Sequence, residues 1–385
     1  MNPKLQVDGM AEQEPLLLRE YERLIRAVGR EDLLERTEHP DFEREVEILL
    51  REAREGEARE GTGLGHLHGR TTEDLMAAIR KRIGTRRGLS YEIQTLYDEV
   101  RQACQEYSYK VPFPVLAAEF PTGSFNAQAV RTEHGVLLLI NTGLMMLFYQ
   151  CAMLVMRSFA IRVDDDDTAE TRARVAPTLS HDELVSSMTQ AVIAYLVTGR
   201  STNVPREKTN TGVTGMLGNY LARSADKFVI GHELGHAVAG HLGSANAVRR
   251  ATGTQDFTLD VIPKTWEQEI EADVYGIRFL MPPSKMTITT AAELQQLNLV
   301  LAGAYLFFGL DHLFADLDVK FKRSGRASVL ESDHPPAEVR AEAVTMYLQK
   351  IGAEQALGMA MFLRQWFSDL TSEVSDRVVG QLGRL

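Results

Sequence analysis

Cysteine is almost missing from this chain: Cys104 and Cys151 are the two in 385 residues. That is too few for a disulfide framework, and they lack the paired spacing of a cysteine metal site. The expectation is a reducing, cytoplasmic setting, with both thiols buried as small apolar residues. An excess of basic charge is missing too. The net charge of −11 would repel a polyphosphate, so neither nucleic acid nor an anionic membrane surface is an expected partner. The first residues, MNPKLQVDGMAEQEPLLLREYERL, lack the apolar run and small-residue cleavage site of a signal peptide. No repeat of solenoid period is visible. Long apolar runs are few: Val136 to Met156 is 21 uncharged residues, but the turn signal Asn141-Thr142-Gly143 divides it into a strand-type run, VLLLI, and a helix-type run, LMMLFYQCAMLVM. Leu294 to Leu310 is uncharged but holds Gln295, Gln296, Asn298 and two glycines. Both are read as buried core, and no membrane span is expected.

The remaining composition, 44% hydrophobic and 25% charged, is that of a globular chain long enough for two compact units. Residues 1–110 read as an N-terminal helical region. Segments such as LLLREYERLIRAV and LSYEIQTLYDEVRQACQEY space apolar residues three and four apart, and Thr71 or Thr72 is a candidate helix cap. Near Val111-Pro112-Phe113-Pro114 the character changes to alternating apolar residues punctuated by Gly123 and Gly135, which predicts strands and a domain boundary. Residues 111–385 form the second unit, with an insertion at about 157–225. That insertion opens on Asp164 to Asp167, a solvated acidic turn without the ligand spacing of a calcium loop, and carries one helix, HDELVSSMTQAVIAYLV.

The segment Asp226 to Leu242, DKFVIGHELGHAVAGHL, has helical period, with Ser224 or Asp226 as cap and Gly243 as stop. Within it His232 and His236 lie at i and i+4. On a helix both imidazoles project from one face and can reach a single metal ion, with Glu233 aimed at the same cavity. A catalytic zinc takes three protein ligands and leaves one position for water, so a third ligand is required. His241 is rejected, because 100° per residue carries it away from the face of His232 and His236. Glu269 in Glu269-Ile270-Glu271-Ala272-Asp273 fits better. Glu269 and Asp273 share a helix face, so the first can ligate while the second accepts a hydrogen bond from the far nitrogen of a ligand histidine. Glu271 points away and reads as solvated or salt-linked.

Together these motifs resemble the HtpX and CAAX-prenyl-protease type of gluzincin metallopeptidase, in a soluble form. The resemblance rests on Ser124-Phe125-Asn126-Ala127 through Leu139-Ile140-Asn141-Thr142-Gly143-Leu144, then HELGHAVAGH, then EIEAD, then His334-Pro335-Pro336-Ala337-Glu338-Val339-Arg340. It spans about residues 113 to 348 with gaps. EIEAD followed by Phe279-Leu280-Met281-Pro282 also resembles small repressor-cleaving and phage-exclusion peptidases. The resemblance implies an α+β, mostly helical fold: a zincin-type peptidase core with a small β-sheet next to the zinc helix, plus the N-terminal helical region.

The implied activity is zinc-dependent endopeptidase. Zn²⁺ is held by His232, His236 and Glu269, with Asp273 behind a ligand histidine and Glu233 as general base for a metal-activated water. His334 and Arg340 are candidate catalytic groups. For His334 the alternatives are a transition-state hydrogen-bond donor or a residue that starts a helix before Pro335-Pro336; for Arg340, an oxyanion contact or a structural ion pair. Val136 to Ile140 is either an edge strand beside the cleft, able to pair with an extended peptide, or an interior strand. Trp266 is read as packing under the site, and Met145, Met146, Met153 and Met156 as core. The expected partner is a protein or peptide substrate. The reading from another class is a non-catalytic zinc-binding or protein-interaction module; a regulatory peptidase that cleaves repressors or acts in phage exclusion is the second alternative.

Overall fold

The computed structural model describes residues 3–31, 34, 89–120, 127–163, 173–177, 179–198, 213–243, 248–251, 258–261, 264–285, 290–323 and 334–383. Thr71, Thr72, Gly123, Ser124, Phe125, Asn126 and the four-aspartate run lie outside the described residues. The fold is α+β and mostly helical, with one small mixed sheet. In chain order, α1 (Pro3–Ala27) and α2 (Tyr91–Glu106) precede β1 (Val115–Phe120), β2 (Ala127–Arg131) and β3 (Val136–Asn141). Then follow α3 (Thr142–Ser158), the hairpin β4 (Phe159–Val163) and β5 (Ala173–Pro177), and α4 (His181–Thr198). Next come α5 (Val213–Val238), the hairpin β6 (Val248–Ala251) and β7 (Thr258–Val261), and α6 (Trp266–Leu280). Three helices close the chain: α7 (Ala291–Arg323), α8 (Ala337–Lys350) and α9 (Gly358–Leu382).

In the mixed sheet β3 is central, parallel to β1 on one side and antiparallel to β2 on the other. Val136–Ile140 is therefore the interior strand, and the edge alternative is corrected to β2. The reason lies in the run itself. VLLLI is continuously apolar, as a strand covered on both faces must be. Leu137 and Leu139 face α1, where Leu17, Tyr21 and Ile25, each one turn apart, form a small core with Leu116 and Phe120. Val136, Leu138 and Ile140 face the opposite way, into the main helical core. The Tyr21 hydroxyl donates to the carbonyl of Glu119 at 2.9 Å, which ties α1 to the sheet.

The strand-to-helix change falls at Asn141-Thr142 as the turn signal requires, and the Asn141 side chain accepts from the Gly143 amide at 2.9 Å. Met145 and Met156 are buried in the main core, as are both cysteines. That core also takes in Ile93, Leu96 and Val100 of α2, so the chain on both sides of Val111 packs into one continuous interior. The helix expected within the insertion is α4. Among the described residues one helix, α7, is long and apolar enough to cross a bilayer, and 61% of its apolar window is buried inside the protein.

The helix α5 begins at Val213, not at Ser224 or Asp226. Both proposed caps are interior: Ser224 bonds back to the Tyr220 carbonyl at 2.9 Å, and Asp226 is buried with its Oδ1 unpartnered. The glycine of MLGNYLARSADK does not end the helix because it serves close packing. This residue, Gly218, sits where a side chain would meet Met153.

Candidate metal centre

Two helices carry the cluster, and their close approach is written in small residues. A Cβ on Gly235 of α5 would stand 2.8 Å from the Tyr275 Cβ and 3.2 Å from the Ala272 carbonyl of α6. No other side chain fits there without parting the helices. The start of α6 is fixed by Thr265, whose hydroxyl accepts from the Gln268 amide at 3.3 Å while the Gln268 side chain accepts from the Thr265 amide at 2.9 Å. That cap places Trp266 in the first turn facing solvent, 53% exposed. The expectation that it packs beneath the site is corrected.

The structure brings His232, His236 and Glu269 together, all buried, with one donor atom of each within 4.8 Å of the others. His232 Nε2 lies 3.1 Å from His236 Nε2 and 3.3 Å from Glu269 Oε2, and His236 Nε2 lies 3.5 Å from Glu269 Oε1. Metal–ligand bonds of about 2.0–2.1 Å at tetrahedral angles would separate donor atoms by about 3.3 Å. The three separations bracket that value, so these residues could hold a metal ion.

Behind the donors stands a series of supporting contacts. His232 Nδ1 is 2.8 Å from Asp273 Oδ1. Arg340 grips Asp273 with two bonds, Nε to Oδ2 at 2.8 Å and a terminal nitrogen to Oδ1 at 2.7 Å, and reaches Asp311 at 3.4 Å. Its guanidinium also stacks within 5.1 Å of the Phe307 ring centroid. Arg340 is thus a buried ion-pair centre, 1% exposed, placed behind Asp273. His334 Nδ1 lies 2.7 Å from Glu269 Oε2. Glu233 is buried beside the donors, its Oε2 without a hydrogen-bond partner and 3.7 Å from the Lys264 ammonium.

His241 is not one of the three converging donors. It lies instead behind His236, Nδ1 to Nδ1 at 2.9 Å, with its Nε2 3.1 Å from Glu271 Oε2. Extrapolating helical angles to His241 fails because α5 stops at Val238 and Gly240, at φ +77°, folds the chain back. Glu271, its side chain 54% exposed, is both solvated and in contact with His241.

The charges sort themselves by burial and neighbours. Burial disfavours a charged His232, but Asp273 and Glu269 outweigh it and push it up to about 9. Burial acts against the Glu269 carboxylate, yet His232 and His334 hold it well below the usual range. His236 moves the other way: burial pushes it well down, and Lys264 and His232 add to the effect. His241 is also lowered, by burial first, against the pull of Glu271. Asp273 stays low because Arg340 and His232 overcome its burial, whereas burial raises Asp311 despite Arg340.

A small cleft of about 30 Å³ opens onto the cluster, lined by Ala127, Phe228, Val229, His232, Glu233, Phe307, Asp311, His334 and Arg340. Lys264 and Asp311 were missed by sequence reasoning. The one available signal was Asp311 itself, a carboxylate closing an otherwise uncharged run. The chain matches no protein-family model, no curated protein and no solved structure.

Proposed function

We propose that the protein is a zinc-dependent endopeptidase of gluzincin type, built on a zincin-type core and resembling the HtpX and CAAX-prenyl-protease families. One observation carries the reading: two buried imidazole nitrogens and a carboxylate converge at separations of 3.1 to 3.5 Å. The carboxylate of Glu233, one oxygen of it without a hydrogen-bond partner, stands beside them on the cleft. The donor set of two nitrogens and one oxygen, with no cysteine, is that of a catalytic zinc site with one position left open. Calcium, which takes six to eight oxygens, is poorly served by it.

His232, His236 and Glu269 would hold the metal. A bound Zn²⁺ supplies Lewis acidity for a scissile carbonyl and makes a water acidic near neutral pH. The remaining chemistry belongs to the chain. Glu233 takes the proton from the attacking water through Oε2, which has no hydrogen-bond partner, and returns it to the departing amine nitrogen. Lys264, 3.7 Å away, keeps that carboxylate oriented. Asp273, gripped by Arg340, fixes the His232 ring, and His334 fixes the Glu269 carboxylate. Phe228, Val229 and Phe307 line the cleft and exclude water from the reacting atoms. The sheet edge β2 begins at Ala127 on the cleft wall, where an extended peptide would add its backbone to the ladder.

The test compares wild type with Glu233→Gln for zinc content and for cleavage of an unfolded protein substrate. The expected result is one zinc in each, chelator-sensitive cleavage by wild type, and none by the variant. Full cleavage by Glu233→Gln, or a wild type that takes up no metal, would overturn the proposal.

A further inference from the structure

The two ligand histidines are held from behind by different devices. His232 has a carboxylate, Asp273, at its Nδ1. His236 has a second imidazole. His241 Nδ1 lies 2.9 Å from His236 Nδ1, and His241 Nε2 lies 3.1 Å from Glu271 Oε2. His236 and His241 are buried, whereas the Glu271 side chain is 54% exposed. Three groups therefore run in line from the donor atoms to the surface.

Donor and acceptor roles along this line close in one way. Glu271, as a carboxylate, only accepts, so His241 Nε2–H donates to it. A neutral His241 then carries its lone pair on Nδ1, where it accepts from His236 Nδ1–H. His236 in turn is left with its lone pair on Nε2, the nitrogen that faces His232 Nε2 at 3.1 Å and Glu269 Oε1 at 3.5 Å. The opposite tautomer would put a proton on the atom that must ligate.

We infer that His241 and Glu271 are positioning residues for the metal site: they hold the His236 ring in the tautomer and orientation that present Nε2 as a ligand. This rests on the reading of His232, His236 and Glu269 as metal ligands. The backbone provides for it. The left-handed Gly240, at φ +77°, turns the chain directly after α5, and Glu271 sits between Glu269 and Asp273 on α6. The helix that supplies the third ligand thus also anchors the second histidine. Both ligand histidines then answer to α6, His232 through Asp273 and His236 through His241 and Glu271.

The test uses the full chain stripped of metal, with zinc affinity measured by competition against a chromophoric chelator and the site geometry followed by the visible absorption of bound Co²⁺. Partners of this kind typically carry about 10- to 100-fold in metal affinity. His241→Phe should weaken zinc by that factor and alter the Co²⁺ bands. Glu271→Ala, one step further out, should weaken it by at least about threefold, and Glu271→Gln, which still accepts from His241 Nε2–H, should restore affinity to within about twofold. Because Glu271 is exposed, its variants should leave the melting temperature of the metal-free protein unchanged, which separates positioning from a merely structural contact. Wild-type zinc binding with His241→Phe and Glu271→Ala both within about twofold of it would overturn the inference and leave the metal site standing. If His241→Phe does not fold, the Glu271 pair decides alone. A wild type that binds neither zinc nor Co²⁺ would overturn the metal site and the inference together.

Discussion

Replacing Arg340 by Ala removes the centre of the supporting network. The guanidinium makes two short bonds to Asp273 and a longer one to Asp311, and all three groups are largely enclosed. Its loss strands Asp273 among apolar side chains with only His232 as partner. Breaking a buried pair in this way costs about 3–5 kcal/mol, far more than the net worth of the pair, because a charge is left uncompensated. In a chain of 385 residues that corresponds to a melting temperature lower by roughly 4–6 °C. The pH dependence follows from Asp273, whose folded pKa is depressed. A depressed carboxyl contributes stability above its unfolded pKa of about 3.9 and loses it as pH falls through the folded value. The gap between wild type and Arg340→Ala should therefore be widest near neutral pH and shrink in acid below about pH 4. The assay is urea unfolding of metal-free protein at several pH values, with Asp273→Asn and the double variant completing a cycle. The double variant should cost less than the two single changes together by about 2 kcal/mol or more. An Arg340→Ala loss under about 1 kcal/mol, or additive single changes, would refute the reasoning.

Asp226→Asn should stabilise the protein at neutral pH. Asp226 is buried in α5 with Oδ1 unpartnered, and burial, reinforced by Glu92 and opposed by Arg223, raises its pKa well above the ordinary value. A raised carboxyl contributes stability below its unfolded pKa and loses it as pH rises through the folded one, so the gain should be about 1–3 kcal/mol at pH 7 and vanish in acid; a loss at pH 7 would contradict this. Gly235→Val should part α5 from α6, costing about 1–3 kcal/mol and weakening zinc, because even its Cβ would stand 2.8 Å from Tyr275. Unchanged zinc affinity in a folded Gly235→Val protein would show that the helix spacing does not set the donor separations.

The converging donors were legible because helical period alone settles them. His232 and His236 share a face of α5, Glu269 and Asp273 a face of α6, and no tertiary information is needed beyond the two helices meeting. Gly235, inside the motif, is the mark of that meeting. The strand VLLLI showed its interior place in being apolar throughout, a signal outweighed in the edge reading by its position before the cleft. What stayed hidden depends on long-range contacts or on where an element ends. His241 was placed by extending a helix that stops at Val238. Trp266 was placed by proximity to Glu269, without the Thr265 and Gln268 cap that turns it outward. Lys264 and Asp311 reach the site only through tertiary packing, since Lys264 precedes α6 and Asp311 belongs to α7.

The same contacts bear on how an acidic chain could build a cation site of the kind the proposed function requires. Glu269 is itself a donor, and four further carboxylates surround the site: Glu233, Glu271, Asp273 and Asp311. If all acted as free charges, the site would hold a cation tightly and oppose the negative oxygen of a tetrahedral intermediate. They do not act that way. Asp273 and Asp311 are engaged by Arg340, Glu271 is turned to the surface on His241, and Lys264 stands against Glu233. Glu269, which meets His334 at 2.7 Å, is the carboxylate among the donors themselves, and a dication bound there would outweigh its single charge. The charge of −11 spread over the surface is screened within roughly 8 Å at physiological salt and does not alter that sign. The single charge of Arg340 offsets that of Asp273, while burial raises Asp311 toward its neutral form, so that less negative charge would oppose an oxyanion in the proposed reaction.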